Sequence, residues 1–120
     1  MDTQTVVDKV LQHLWDQGEC SYNESGCAYR GANGTKCALG ILIPDELYHP
    51  DMEGLSFHQL CRKFDAVAYL PEICAIVPVG ATLQDLHDGL FGVPNFRKTL
   101  SRRASHILAD YNLACNLPKE

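Results

Sequence analysis

The side chains that could do chemistry in this sequence are its six cysteines and five histidines, since thiols and imidazoles bind zinc and act as nucleophile and base. Zinc ligands usually come in close pairs such as C-x2-C, because a short loop places both around the ion. The first three cysteines, Cys20, Cys27 and Cys37, are too widely spaced for this. His58 and Cys61 form a lone pair on a predicted helix. The spacing favours structural thiols, and we expect neither a metal ion nor a cofactor.

Cys37 is the candidate nucleophile of a small cysteine-dependent or metal-assisted enzyme. If Asn33 and Gly34 form the turn of a two-residue hairpin, Arg30 lies opposite Cys37, and a nearby guanidinium lowers the pKa of a thiol. The bases and orienting acids that could complete such a site are His49, His58, His87, Asp85 and Asp88. Nothing in the sequence selects among them, and the apolar residues after Cys37 indicate a chain that enters the core. We therefore expect a structural thiol and keep the enzyme as the alternative function.

Charge separates the two halves of the chain. The net charge is −5, and residues 1–60 contain nine acids and three bases, whereas residues 61–120 contain six acids and seven bases. Nucleic-acid affinity comes largely from Lys and Arg that neutralise phosphates, so this composition disfavours nucleic acid as a partner. The GXXG at 31–34 is better explained as a turn than as a nucleic-acid clamp. An acidic half is compatible with basic protein partners.

The N-terminus has no features of a secretory signal, because it carries acids and shows helical periodicity instead of a continuous apolar stretch. No apolar run approaches the length of a membrane span. We therefore expect a cytoplasmic protein with reduced cysteines and no membrane partner.

The periodicity predicts an α+β, mainly α fold in a compact single domain that covers residues 1–120 and contains four to five helices and one small β-hairpin. Val6, Val10 and Leu14 share one helical face, and Asn33 with Gly34 is a strong hairpin signal. A stretch from 66 to 79 is apolar and broken by prolines, which leaves helix or strand open. The predicted elements are a helix at 3–17, a hairpin at 28–38 with strands at about 28–32 and 35–38, and helices at about 56–64, 82–90 and 95–112.

An acidic cluster with interleaved apolar side chains follows the hairpin. Carboxylates can steer a basic partner while an aromatic or a methionine supplies buried area, and an exposed loop without a partner is the simpler alternative. We predict that the hairpin and this loop form a protein-binding surface. Its candidate residues are Tyr29, Arg30, Lys36, Asp45, Glu46, Tyr48 and Glu53.

A secondary basic patch lies at the start of the last predicted helix, at Arg97, Lys98, Arg102 and Arg103. Cations in the first turn of a helix oppose its macrodipole, so local helix stability does not explain them. Two explanations stay open. The patch is either a solvated face paired with acids such as Asp85 or Asp88, or a contact surface for an acidic partner or a nucleic-acid backbone.

The segment between Tyr29 and Gly54 also carries a family signal, because it reads YRGANGTKCALGILIPDELYHPDMEG and follows the pattern YRG..G.KCA.G.LIPDE.Y.P.MEG. Downstream, residues 83–88 read LQDLHD. Together these stretches resemble a family of small uncharacterised proteins encoded by tailed phages and prophages. The resemblance implies a phage setting and no mechanism. We therefore expect an accessory protein that binds a host or phage protein in the host cytoplasm, such as an inhibitor of a host defence or regulatory protein.

Overall fold

The computed structural model describes residues 2–24, 26–65 and 70–118. Within these ranges the chain forms five α-helices and one two-stranded antiparallel sheet, which confirms the mainly α, α+β class. None of these helices has the length and the apolar character that crossing a membrane requires. The elements are α1 (Thr3–Gln17), β1 (Tyr22–Asn23), β2 (Gly26–Cys27), α2 (Phe57–Phe64), α3 (Pro71–Ala75), α4 (Gly80–Asp88) and α5 (Phe96–Ala109).

Helix α1 has the predicted bounds, and its ends are set by local chemistry. The Asp2 carboxylate accepts a hydrogen bond from the backbone N–H of Thr5 at 2.7 Å, which caps the helix. At the other end Gly18 takes a left-handed conformation with φ of 74° and donates its N–H to the Leu14 carbonyl. The apolar face of α1 is buried, and the helix packs on α3 and on the turn at Gly40–Leu42.

The predicted strands at 28–32 and 35–38 do not form, and the hairpin lies upstream, at β1 and β2. Asn33 and Gly34 do take positive φ angles, of 61° and 74°. The loop is longer than two residues, however, and Gly31 N–H closes it on the Thr35 carbonyl at 2.9 Å. The single bridge in this segment therefore pairs Arg30 with Lys36 and not with Cys37.

Four short 3₁₀ turns take the place of the predicted strands and of the loop after them. Leu39 and Leu42 in this segment are buried, because the chain folds back into the core after Cys37 instead of pairing along an edge. The turns are Ala32–Gly34, Gly40–Leu42, Asp45–Leu47 and Pro50–Met52.

Helix α2 starts with the capping box that Ser56 and Gln59 form together. Helix α4 starts two residues before the predicted position 82. Thr82 and Asp85 have the spacing of a capping box, which predicts a helix start at Thr82. The box is absent because Thr82 lies inside the helix, where its hydroxyl pairs with the Tyr111 hydroxyl at 2.8 Å.

Helix α5 spans Phe96–Ala109, within the predicted 95–112. Of the apolar stretch at 66–79, residues 66–69 lie outside the described residues, and Pro71–Ala75 is helical.

At Gly40 the backbone of the 29–54 segment packs closely against the backbone of Tyr29. A Cβ placed on Gly40 would lie 2.1 Å from the Tyr29 carbonyl oxygen, a distance that no real side chain tolerates. The neighbouring Cys37 and Leu39 are fully buried. Because both surfaces here are backbone or core, neither can move away cheaply.

We expect Gly40→Ala to lower the free energy of unfolding by about 3 kcal/mol or more, because the methyl group collides with backbone. Gly34→Ala is the matched control, since Gly34 has open space around it and only a positive φ. It should cost about 1–2 kcal/mol. Urea unfolding of both variants measures the difference, and equal losses would contradict the close approach.

Candidate functional site

The carboxylate of Glu53 joins three of the residues predicted to form the binding surface. Its Oε1 accepts a hydrogen bond from the backbone N–H of Tyr29 at 2.8 Å. Its Oε2 accepts one from the backbone N–H of Arg30 at 3.0 Å and one from the Tyr48 hydroxyl at 2.5 Å. We refer to Glu53, Tyr29, Arg30 and Tyr48 as the Glu53 network. It closes the segment on itself, so these groups bond one another and not a partner.

The Arg30 guanidinium extends this network to the turn at Asp45. It donates to the Asp45 carboxylate and to the Ile43 carbonyl, and its Cζ lies 4.9 Å from the centre of the Tyr48 ring. Lys36 Nζ lies 3.7 Å from the same Asp45 oxygen. The hydrogen bond from Arg30 and the positive charges of both bases lower the pKa of Asp45. The turn is therefore attached to the rest of the segment by its first residue.

Two side chains of this turn remain directed outward, at Glu46 and Leu47. Glu46 is exposed and makes no hydrogen bond or ion pair with any residue that the structure describes. Leu47 is 48% exposed, although it is a large apolar residue. We call Asp45–Leu47 the acidic turn. Of the seven predicted binding residues, Glu46 is the one whose side chain makes no hydrogen bond or ion pair with the described residues.

The four bases of the secondary basic patch differ in whether they make hydrogen bonds within the protein. Arg97 donates from Nε to the Trp15 carbonyl at 2.7 Å and from Nη2 to the Asp16 carbonyl at 3.3 Å, at the end of α1. Arg103 donates to the Gly89 carbonyl at 2.9 Å, at the end of α4. Cations at helix C-termini complement the macrodipole. These two bases therefore stabilise other helices, and they do not pair with Asp85 or Asp88 as the sequence suggested.

Lys98 and Arg102 make no hydrogen bond or ion pair with the part of the chain that the structure describes. Both are exposed and lie one helical turn apart on α5. The predicted contact surface is thus reduced from four bases to these two.

Cys37 is fully buried, with 0% of its surface exposed. Its Sγ accepts a hydrogen bond from the Gly40 N–H at 3.3 Å, and burial raises its pKa to about 12. None of the described imidazoles makes a hydrogen bond with it. The thiol is therefore protonated at neutral pH and packed as part of the core.

A polar cluster at a second site joins Cys27, which the sequence did not single out, to His87 and Asp88, which were candidates for a site at Cys37. Cys27, His87 and Asp88 bring ligand atoms within 4.8 Å of one another. Cys27 and Asp88 line a cleft of about 500 Å³, which also borders the start of α2 at His58. His87 itself is fully buried. The distances alone would suit a metal ion, so the directions of the hydrogen bonds decide what the cluster can do.

The hydrogen bonds of His87 leave no ring lone pair for a cation. Its Nε2 accepts from the backbone N–H of Ser21 at 3.0 Å, so a neutral ring carries its proton on Nδ1 and donates to Asp88 Oδ1 at 2.9 Å. A metal-ligating histidine normally donates from its second nitrogen, and here a donor faces that nitrogen. Gln84 also donates to Asp88 Oδ1, at 3.0 Å. The cluster ties the β1–β2 hairpin to α4.

The thiol of Cys27 is equally unsuited to attack a substrate. Burial and the neighbouring Asp88 carboxylate raise its pKa to about 11, so it stays protonated at neutral pH. The helical period could have revealed the buried His87, because Leu83, Leu86 and His87 follow one face of α4 at i, i+3 and i+4.

Glu53→Gln should lower the free energy of unfolding by about 2–4 kcal/mol, because the amide group cannot accept hydrogen bonds on both sides and leaves backbone donors unpaired. The matched control is Glu46→Gln on the same segment, where no hydrogen bond is lost and stability should not change. Urea unfolding measures both. A Glu53→Gln variant as stable as the control would show that the Glu53 network does not close the segment.

Comparisons with known proteins assign no family to the chain. A scan against protein-family models, a search of curated proteins and a search of solved structures each found no match. The resemblance to phage and prophage proteins therefore stays a prediction.

Proposed function

We propose that this chain is a phage-encoded accessory protein that works in the host cytoplasm by binding another protein. The partner is a host or phage protein, and the role that we propose is inhibition of a host defence or regulatory protein. The single observation that carries the binding proposal is the acidic turn, where Leu47 is 48% exposed next to the free carboxylate of Glu46.

The acidic turn is suited to binding because it is held from both sides. Arg30 binds Asp45 at its start, and Tyr48, directly after it, donates to Glu53. A rigid element loses little conformational entropy when a partner docks. The hydrogen bonds of the predicted binding residues thus support recognition indirectly, by fixing the position of Leu47.

The side chains of the acidic turn indicate which kind of partner surface it would bind. An exposed leucine gains most when it enters an apolar recess, where burial contributes about 1.5–3 kcal/mol. Exposed carboxylates at Glu46 and at nearby Asp51, whose Oδ2 lies 3.6 Å from His49 Nδ1, increase the association rate with a basic surface. We therefore propose a partner with an apolar recess surrounded by Lys or Arg, and nucleic acid is disfavoured by the acidic character of this half of the chain.

A quantitative pull-down from host lysate tests this function. We expect Leu47→Ser and Glu46→Lys to reduce recovery of a specific partner about ten-fold or more, which corresponds to about 1.4 kcal/mol. Val77→Ser is the matched control, because Val77 is also an exposed apolar residue, at 42%. Mass spectrometry with isotope-labelled lysates measures the ratios. A partner recovered equally with all three variants, or no specific partner at all, would count against the proposal.

The alternative, an enzyme centred on Cys37, requires a thiol that reagents can reach. We expect iodoacetamide to label the exposed Cys74 in the folded protein and to label Cys37 only after unfolding, since Cys37 is buried and its pKa is raised. Peptide mass mapping at neutral pH distinguishes the two thiols. Rapid labelling of Cys37 in the folded state would favour the enzyme over the binding protein.

A further inference from the structure

An apolar groove separate from the acidic turn lies between the β1–β2 hairpin and the connection from α4 to α5. Its volume is about 380 Å³. Tyr22 and Phe91 flank it, with 38% and 57% of their surfaces exposed, and their rings meet edge to face with centres 5.6 Å apart. Buried Cys20 and Leu90 also line it, together with Val93 and Phe96. We call this feature the aromatic groove.

The two sides of the aromatic groove are held at a fixed separation. Ser21, next to Tyr22, donates its backbone N–H to His87 Nε2 at 3.0 Å. The Cys20 thiol donates to the His87 carbonyl at 3.1 Å. Phe91 follows α4 through a turn in which its N–H donates to the Asp88 carbonyl at 3.3 Å. The polar cluster around His87 thus positions two exposed aromatic rings that are far apart in the sequence.

Exposed aromatic rings on a rigid site are typical of binding anchors. Tyr and Phe are enriched in the cores of interfaces and supply much of the binding energy there. The volume lies at the small end of the roughly 300–1,000 Å³ typical of ligand sites. This size suits one or two side chains of an extended segment, and it is too small for a whole helix.

The charges at the rim select the occupant. Glu19 is the charged residue that lines the aromatic groove, and its carboxylate has no partner among the residues that the structure describes. Arg97 lies near the rim at Gly18, but its guanidinium is bound to the Trp15 and Asp16 carbonyls. We propose that the aromatic groove binds a segment of a partner protein in which an aromatic or long aliphatic side chain stands next to Lys or Arg. The ring or chain fills the groove, and the cation meets Glu19 at its rim.

This proposal is independent of the acidic turn, and titrations of the full-length ¹⁵N-labelled protein test it. The two probes are the synthetic peptide acetyl-Gly-Ser-Phe-Lys-Gly-Ser-amide and the same peptide with Glu in place of Lys. We expect the Lys peptide to shift the amide signals of Tyr22 and Phe91 and to bind several-fold more tightly than the Glu peptide. Glu19→Lys should reverse this preference, because it inverts the charge at the rim and leaves the apolar groove unchanged.

Phe91→Ser should abolish the response to both peptides. Phe91 is more than half exposed, so this variant should remain folded, and urea unfolding checks this. Val77→Ser, on a different surface, should respond as the wild type does. Equal binding of the two peptides, shifts located elsewhere, or a preference unchanged by Glu19→Lys would overturn the proposal. Concentration-dependent self-association that Phe91→Ser removes would also overturn it, since a second copy would then be the occupant.

Discussion

The carboxylate of Glu53 determines the course of the chain between Tyr29 and Gly54. This segment has no extended strand ladder, so the backbone donors of Tyr29 and Arg30 need another acceptor once they are partly buried. Glu53 satisfies both and also accepts from Tyr48, which joins the two ends of the segment. Only a carboxylate accepts on both oxygens. The orientation of Arg30, and with it the position of the acidic turn, follows from this one side chain.

His87 has the same role for the other half of the molecule. It is buried in α4, where its Nε2 accepts from the backbone N–H of Ser21 and so connects the chain at the start of the hairpin to the helix. Its Nδ1 bonds to Asp88 of the same helix, which fixes the orientation of the ring. Buried polar groups that are fully hydrogen-bonded specify one arrangement of the elements around them. Each candidate surface is thus held by a side chain that does not face a ligand, since Glu53 fixes Leu47 and His87 fixes Tyr22 and Phe91.

Local signals in the sequence predicted the parts of the fold that local chemistry controls. Asp2 and Ser56 are typical N-cap residues and Gly18 is a typical helix stop; these signals act within a few residues, and all three are present. The signals at Asn33 and Thr82 did not determine the structure, because the loop at Asn33 is longer than two residues and α4 begins two residues before Thr82. The predicted binding residues do lie in one segment of the sequence. The hydrogen bonds between them could not be predicted, because they depend on three-dimensional distances that the periodicity of the sequence does not report.

The hydrogen bonds within the 29–54 segment also bear on how the resemblance to phage proteins is interpreted. Of the residues that the phage pattern specifies, Tyr29, Arg30, Tyr48 and Glu53 hold the segment together, and Gly40 allows its backbone to pack. A shared pattern of this kind would report a shared fold of the segment, because losing Glu53 leaves buried backbone donors without an acceptor and a side chain at position 40 collides with backbone. Leu47 falls at a position that the pattern leaves unspecified. Proteins that share the pattern can therefore differ in the exposed residue at this position while the segment that carries it stays the same.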